Sequence, residues 1–386
     1  MMKGPPLARF RKKLLAWFAG SRRDLPWRRS KDPYRIWLSE IMLQQTRVAV
    51  AIPYYERFLE HFPDVRALAN APEDEVLRLW AGLGYYSRAR NLQQAARQIV
   101  ADHNSHFPAT REEAVRLAGI GEYTAAAILS IAYEKKLAVL DGNVARVLAR
   151  LGALRGDLRS NGRWQHLQTL ADNLVPSQAP GDWNEAMMEL GATICAPRSP
   201  QCLLCPVAEF CQARKVGLTG AIPEKRKKRA AVEVTLASLV LVDGKADTLL
   251  LSPSHHSPRS ADCHDVASLL SRMWHFPTTA VQRNAERELR RYVRDNVIHA
   301  LPSRVRFLAL SPVHHTVTHR QITLLPFRVE LNELPDVPGA ANLPLHQLGS
   351  VPISSLTRKV ANAALSNEED SVSRRHSSDR IRRLPF

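Results

Sequence analysis

Cys195, Cys202, Cys205 and Cys211 fall within seventeen residues of a 386-residue chain that contains only one other cysteine, Cys263. Four thiols crowded into one short segment form a ligand set, and a ligand set obliges that segment to wrap around a common centre. One C-x-x-C flanked by two single cysteines is tighter than the paired C-x-x-C pattern of a usual structural zinc site. It suits a compact iron–sulfur cube. On spacing alone zinc remains the alternative, and two disulfides are disfavoured because nothing in the sequence marks a secreted chain. Cys263 lies in a polar stretch and reads as an ordinary free thiol.

A chain of this length with 45% hydrophobic residues can build two domains, each around its own core. Arg9, Arg11, Lys12 and Lys13 precede an apolar run from Leu14 to Phe18, which is too brief for a signal core. No stretch approaches the length of a membrane span, so we expect a soluble protein of a reducing, cytoplasmic compartment of bacterial type. The net charge of +17 would attract polyanions, above all nucleic acid. Part of that excess sits in the run of Lys225, Arg226, Lys227, Lys228 and Arg229, which reads as a solvated linker.

Up to about residue 220 apolar residues recur at three- and four-residue steps, as in Leu7, Phe10, Leu14 and Phe18, which predicts a mainly helical domain. Asp32-Pro33 signals a helix start before the Tyr34 to Thr46 segment, and Pro72 with Glu73 signals the next. After the basic run the pattern changes. Val232 to Leu239, Val240 to Val242 and Thr248 to Leu251, around Asp243-Gly244, read as strands and turn, so an α+β domain begins there. Ser252 to Ala267 reads as a surface loop, and the polar segment beyond Ala364 as a disordered tail. The expected boundaries are 1–224 helical, 225–231 linker, 232–364 α+β and 365–386 tail.

Within the helical half, Leu117-Ala118-Gly119-Ile120-Gly121 separates two helical patterns, the second from Glu122 to Tyr133. Glycines at both ends of such a turn permit positive φ and close approach, and a helix pair joined this way favours a phosphate at the second N-terminus. A plain helix–helix turn would look the same. Asp141, ahead of Gly142-Asn143 and a helical stretch from Val144 to Leu151, has the position of an N-cap. Glu40 lies in the apolar run Trp37 to Leu43, where burial would raise its pKa and suit it to general-acid work; on the wet side of the helix it would be an ordinary surface carboxylate.

Seven motifs in one order carry a resemblance: LPWR at Leu25 to Arg28, LSEIMLQQTRV at Leu38 to Val48, GLGYYSRARNL at Gly82 to Leu92, LAGIGEYTAAAIL at Leu117 to Leu129, LDGNVARVLAR at Leu140 to Arg150, WNEAMMELG at Trp183 to Gly191, and the four cysteines. From about Leu25 to Cys211 the chain resembles the MutY-type adenine DNA glycosylases of the helix-hairpin-helix, endonuclease III-like superfamily. The resemblance implies a [4Fe-4S] cluster on Cys195, Cys202, Cys205 and Cys211. It also implies hydrolysis of the glycosidic bond of adenine opposite 8-oxoguanine or guanine in double-stranded DNA, by a monomer that associates with the nucleoid when bound. Glu40 would then be the general acid and Asp141 the ionised group that stabilises the oxocarbenium-like sugar. Tyr123 and Asn143 would orient Asp141, while Trp27, Arg28 and Glu185 would line the adenine pocket. Gln45, Thr46, Leu83 and Tyr85 would meet the lesion, and Gly119 and Gly121 the phosphate backbone.

Tyr123 stands where strand-nicking relatives have a lysine for Schiff-base chemistry, so a monofunctional enzyme is expected, with Lys135 or Lys136 capable only of weak adventitious lyase activity. Ser268 to Pro277 is similar to a segment of the Nudix-like domain of this family. Glu286 and Glu288 lack the clustered glutamates of true Nudix hydrolases, so no pyrophosphatase activity is expected. Val317-Thr318-His319 aligns with a Phe-Ser-His loop that recognises 8-oxoguanine; Thr318 keeps the hydroxyl, whereas Val317 replaces the aromatic ring. Ala118 replaces a frequent hairpin proline.

Overall fold

The structure is a computed structural model that describes residues 4–224, 230–253, 270, 273–298, 305–317 and 319–366. Cys263, the basic run 225–229, Thr318, the tail beyond 366, and most of the expected loop from Ser252 to Ala267 lie outside the described residues. The chain divides into two compact units, Met1–Ala71 with Arg88–Lys228, and Pro72–Ser87 with Arg229–Phe386. Residues 72–87 thus group with the C-terminal unit rather than with the helical stretch in which the sequence reading placed them. Within that unit the Tyr86 hydroxyl reaches the Ile353 carbonyl at 3.5 Å.

In chain order the first ten helices are α1 (Pro5–Ser21), α2 (Pro33–Leu43), α3 (Val48–His61), α4 (Val65–Asn70), α5 (Glu73–Trp80), α6 (Ser87–Asp102), α7 (Arg111–Ala114), α8 (Glu122–Tyr133), α9 (Gly142–Leu151) and α10 (Asn161–Leu174). They are followed by α11 (Pro180–Glu189), a π-turn over Leu190–Ile194 and the short α12 (Gln212–Lys215). All but α5 belong to the first unit. Its centre is α2 packed against α8. Both are apolar around most of their circumference, as central helices must be. α2 buries Tyr34 and every residue from Ile36 to Met42, and α8 buries Thr124 to Ile131, with three consecutive alanines that keep its surface narrow.

The expected start of α2 is present. Asp32 accepts the Tyr34 N–H at 2.9 Å, and Pro33 takes the first helical position, where its missing N–H costs nothing. The helix ends at Leu43, before the expected Thr46, and Gln45 adopts φ 57°. The buried Arg88 guanidinium explains the stop, because it donates to the carbonyls of Ile41 at 2.8 Å, Met42 at 3.1 Å and Gln44 at 2.6 Å. Those oxygens would otherwise be orphaned at the helix end.

The second unit is a mixed seven-stranded sheet of order β4-β6-β1-β2-β7, with β3 paired to β1 and β5 to β6. The strands are β1 (Val232–Val242), β2 (Asp247–Leu251), β3 (Thr278–Ala280), β4 (Leu308–Ala309), β5 (Val313–Val317), β6 (Arg320–Glu330) and β7 (Ala340–Pro344). The two strand segments read before Asp243 form one strand, β1, which runs parallel to β6 over its whole length from Val232 opposite Arg320 to Val242 opposite Glu330. Both faces of β1 are apolar, as expected of a strand covered on two sides. Leu236, Val240 and Val242 face a core with Leu356, Val360 and Ala364 of a helix over 355–366, whereas Ala237, Leu239 and Leu241 face Leu289 and Val293 of α13 (Ala285–Asn296). Phe276 is buried in the first of these cores and Trp274 packs against it.

Candidate active site

A cavity of about 560 Å³ opens in the first unit, lined by the predicted residues Glu40, Asp141, Tyr123, Asn143, Trp27, Arg28, Glu185, Gln45 and Thr46. Five separate stretches contribute to it, 23–28, 36–48, 123–131, 141–143 and 185–192. Glu40 sits on α2 and is 8% exposed, so it is the buried carboxylate and not a surface one. Burial pushes its pKa up to about 7; the Tyr123 hydrogen bond and Arg28 pull it down, and the neighbouring Asp141 and Glu185 push it further up.

Tyr123 on α8 donates its hydroxyl to Oε2 of Glu40 at 2.8 Å and also reaches the Met188 sulfur at 3.4 Å. This corrects the expectation that Tyr123 orients Asp141. With Oε2 occupied by that donor, a proton on Glu40 is directed to Oε1.

Asp141 is the N-cap of α9, as its sequence position implied. Its Oδ1 accepts the Val144 N–H at 2.7 Å and its Oδ2 accepts from Asn143 Nδ2 at 2.9 Å. Burial raises its pKa from the ordinary value, opposed by the Val144 and Asn143 hydrogen bonds and by the charge of Arg146. Asn143 is itself fixed, because its Oδ1 accepts from Arg146 at 2.9 Å, and Arg146 also donates to the carbonyls of Cys195 at 2.9 Å and Gly191 at 2.8 Å. A Cβ on Gly191 would lie 2.7 Å from the Asn143 Cβ, so glycine there is what lets the π-turn lie against the cap.

On the far wall the Trp27 ring stands edge-on to Tyr55, with centroids 5.3 Å apart. Arg28 donates from Nε to Glu185 at 3.0 Å and from Nη2 to Glu189 at 3.0 Å. Glu189, Arg23, Met188 and Arg88 were missed by the sequence reading. Glu189 was recoverable, since it lies one helical turn after Glu185 on the same face of α11. Nothing local marked Arg88.

Of the two hairpin glycines, Gly119 has φ 74°, and a Cβ there would meet the Asn91 Cβ at 2.7 Å. Gly121 is the N-cap of α8 with φ −96° and open space around it, so the expected positive φ holds for one glycine and not for both. Ala118 donates its N–H to Gln98 Oε1 at 2.9 Å, a bond that proline could not make. Leu83, which is buried, and Tyr85, 41% exposed with φ 49°, belong to the second unit, as does His319, exposed in the turn between β5 and β6. Glu288 accepts the N–H groups of Gln282, Arg283 and Asn284 and so caps the entry to α13, while Glu286 pairs with Arg290.

Cys195, Cys202, Cys205 and Cys211 are free thiols, each partly buried. Burial, with the charges of the other three, pushes Cys205 up to about 11. Arg150 is 1% exposed and donates from Nη1 to the Cys195 sulfur at 3.2 Å, an approach that suits a thiolate. Among the described residues no three His, Cys, Asp or Glu side chains converge as a single ion requires.

Residues 38–175 match the family described as HhH-GPD superfamily base excision DNA repair protein. The mouse adenine DNA glycosylase is 34% identical over 396 residues, an alignment covering 91% of this chain and 77% of that protein. The chain belongs to the adenine DNA glycosylase, or MutY, family. The human adenine DNA glycosylase is 48% identical over 215 residues, covering 53% of this chain and 39% of its own length. Among solved structures, a thermostable thymine-DNA glycosylase superposes with a TM-score of 0.51 at 31% identity, over 55% of this chain and 97% of that one. Membership makes this adenine DNA glycosylase homologue a base-excision enzyme, a hydrolase of the bond between base and sugar.

Proposed function

We propose that the protein excises adenine mispaired with 8-oxoguanine or guanine in duplex DNA, leaving an abasic site. The observation that carries this reading is one cavity holding two buried carboxylates with different hydrogen-bond partners. Glu40 is buried beside a single hydroxyl donor and retains a proton near neutral pH, whereas both oxygens of Asp141 are engaged by N–H donors that favour its ionised form. A base inside the stack cannot reach such a cavity, so the adenine must be extruded into it. Glu40 then passes its proton to a ring nitrogen of the base as the bond to C1′ breaks and its electron pair leaves with the base. The ionised Asp141 stabilises the positive charge that develops on the sugar. Water adds its oxygen to C1′, and a proton returns to the site.

Gln45 and Thr46 stand at this cavity, and Leu83, Tyr85, Gly119, Gly121, Val317, Thr318 and His319 are read as contacts to the duplex and to the base opposite. The four cysteines fit a [4Fe-4S] cluster. They are free and partly buried, with the Arg150 guanidinium on the Cys195 sulfur, and their tight spacing of one C-x-x-C flanked by two single cysteines supports a cube. When bound, the cluster would supply the core that locks the loop from Cys195 to Cys211. Tyr123 cannot form a Schiff base, and Lys135 and Lys136 are exposed beyond the end of α8, which supports a monofunctional enzyme.

The test is single-turnover cleavage of duplexes holding adenine opposite 8-oxoguanine, adenine opposite guanine, and thymine glycol opposite adenine, each with and without alkali. Alkali-dependent breaks in the adenine strand, fastest opposite 8-oxoguanine, are expected. Alkali-independent breaks at thymine glycol would place the chain among the lyases instead, and no cleavage of any duplex would leave it a DNA-binding protein.

A further inference from the structure

One stretch of the cavity lining is an alternating series of charges, Arg23, Glu189, Arg28 and Glu185, of which Arg28 and Glu185 act on Glu40. Arg23 grips Glu189 with Nε at 2.6 Å and Nη2 at 2.8 Å; Glu189 accepts from Arg28 Nη2 at 3.0 Å; Arg28 donates through Nε to Glu185 at 3.0 Å. The remaining terminal nitrogen of Arg28 reaches the Arg23 carbonyl at 3.2 Å, and its plane lies over the Phe18 ring with the carbon 5.3 Å from the centroid. Arg28 is therefore held on three edges and one face. Glu189 is 1% exposed, yet the partner that anchors it, Arg23, keeps 40% of its side chain in solvent.

A buried ion pair is a poor way to gain stability, because desolvation offsets most of the attraction and an apolar pair of similar volume would serve as well. Glu189 is buried beside a reaction site and links Arg23 to Arg28, the arginine that acts on Glu40. We propose that Glu189 is a positioning residue, which fixes the Arg28 guanidinium, thereby aims the Glu185 carboxylate at the extruded base, and balances the charge of the wall that faces Glu40. The proposal rests on the reading of Glu40 as the general acid.

Two arginines and two glutamates sum to zero. The groups that face Glu40 are Tyr123 from α8, Asp141 from the start of α9, Glu185 from α11 and Arg28 from the turn Pro26–Arg28. Removing the charge of Glu189 alone leaves the wall at +1, which draws the proton off Glu40. Removing the charge of Arg23 alone leaves it at −1, which holds the proton more firmly. Neither substitution alters a group that faces Glu40.

The experiment is the pH dependence of the single-turnover excision rate on adenine opposite 8-oxoguanine, between pH 5.5 and 9, for the full chain and for Glu189→Gln, Arg23→Gln and the double variant. A general acid gives a rate that falls as pH rises through its pKa. We expect that falling limb to move to lower pH in Glu189→Gln, by up to about one unit, which is about tenfold in rate on the alkaline side. It should move to higher pH in Arg23→Gln and return close to the wild-type position in the double variant. Arg23 keeps 40% of its side chain in solvent and Glu189 retains Arg28 as a partner when Arg23 is replaced, so Arg23→Gln carries the test if Glu189→Gln does not fold, with thermal melting of each variant read beside its profile. Limbs that superimpose in Arg23→Gln and the wild type, with only the amplitude changed, overturn the proposal while leaving the general-acid reading in place. A wild-type profile without a falling limb removes the general-acid reading and the proposal with it.

Discussion

Glu40 and Asp141 are both carboxylates in the same cavity, and their surroundings divide the labour between them. Glu40 titrates at about 7 in the fold against 4.5 for an unperturbed glutamate, so the native state holds the proton more tightly than the unfolded chain. The sign follows: the stabilisation from a protonated Glu40 is complete below about pH 4.5 and is lost as pH rises through 7, a loss of about 3 kcal/mol at most. Glu40→Gln cannot ionise. It should therefore gain stability relative to the wild type between pH 5 and pH 8, measured by chemical denaturation at both values, while losing at least about a hundredfold in excision rate. Duplex binding by the same variant should stay within about threefold of the wild type, since Glu40 is buried away from the surface that a phosphate backbone can reach. Substituting Asp141 by Asn removes the charge but keeps an oxygen to cap α9 through the Val144 N–H, so turnover should be lost while stability stays within about 1 kcal/mol of the wild type, as read by thermal melting beside single-turnover kinetics.

At the scale of elements, three local devices bring those residues together. Arg88 stops α2 by taking its last carbonyls and so turns Gln44 to Thr46 toward the cavity mouth. The hairpin between α7 and α8 depends on Gly119, and the contact of the π-turn with α9 depends on Gly191. Gly119→Ala imposes a side chain at φ 74° and a clash with Asn91, so it should cost about 2 kcal/mol and weaken duplex binding. Gly121→Ala has neither problem and should leave stability within about 1 kcal/mol. Urea denaturation of the two variants side by side checks the contrast. Equal losses would mean that the hairpin is not held by its left-handed residue.

Across the whole molecule the net charge of +17 bears on duplex binding. Neutralising phosphates with lysine and arginine releases counterions, so binding to any duplex should weaken steeply between 50 and 200 mM salt. On the proposed reading that the four cysteines hold an iron–sulfur cluster, removing iron should weaken duplex binding while leaving most of the helical circular-dichroism signal, because α2 and α8 pack against each other without the loop; an unchanged binding isotherm after iron loss would remove the structural role of the cluster. The sequence alone was enough to recognise the start of α2 at Asp32-Pro33, the change from helix to strand near residue 231, the cap at Asp141 and the glycine turn before α8. Each of these is written in local spacing or in an unbroken motif, where the physical constraint acts within a few residues. Only the tertiary structure decided that Tyr123 serves Glu40, that Arg88 ends α2, that Glu189 holds Arg28, that β1 pairs in parallel with β6, and that residues 72–87 belong with the C-terminal unit. Those arrangements join groups tens to hundreds of residues apart. No local pattern encodes them, because a side-chain hydrogen bond is set by where packing brings its partner and not by distance along the chain.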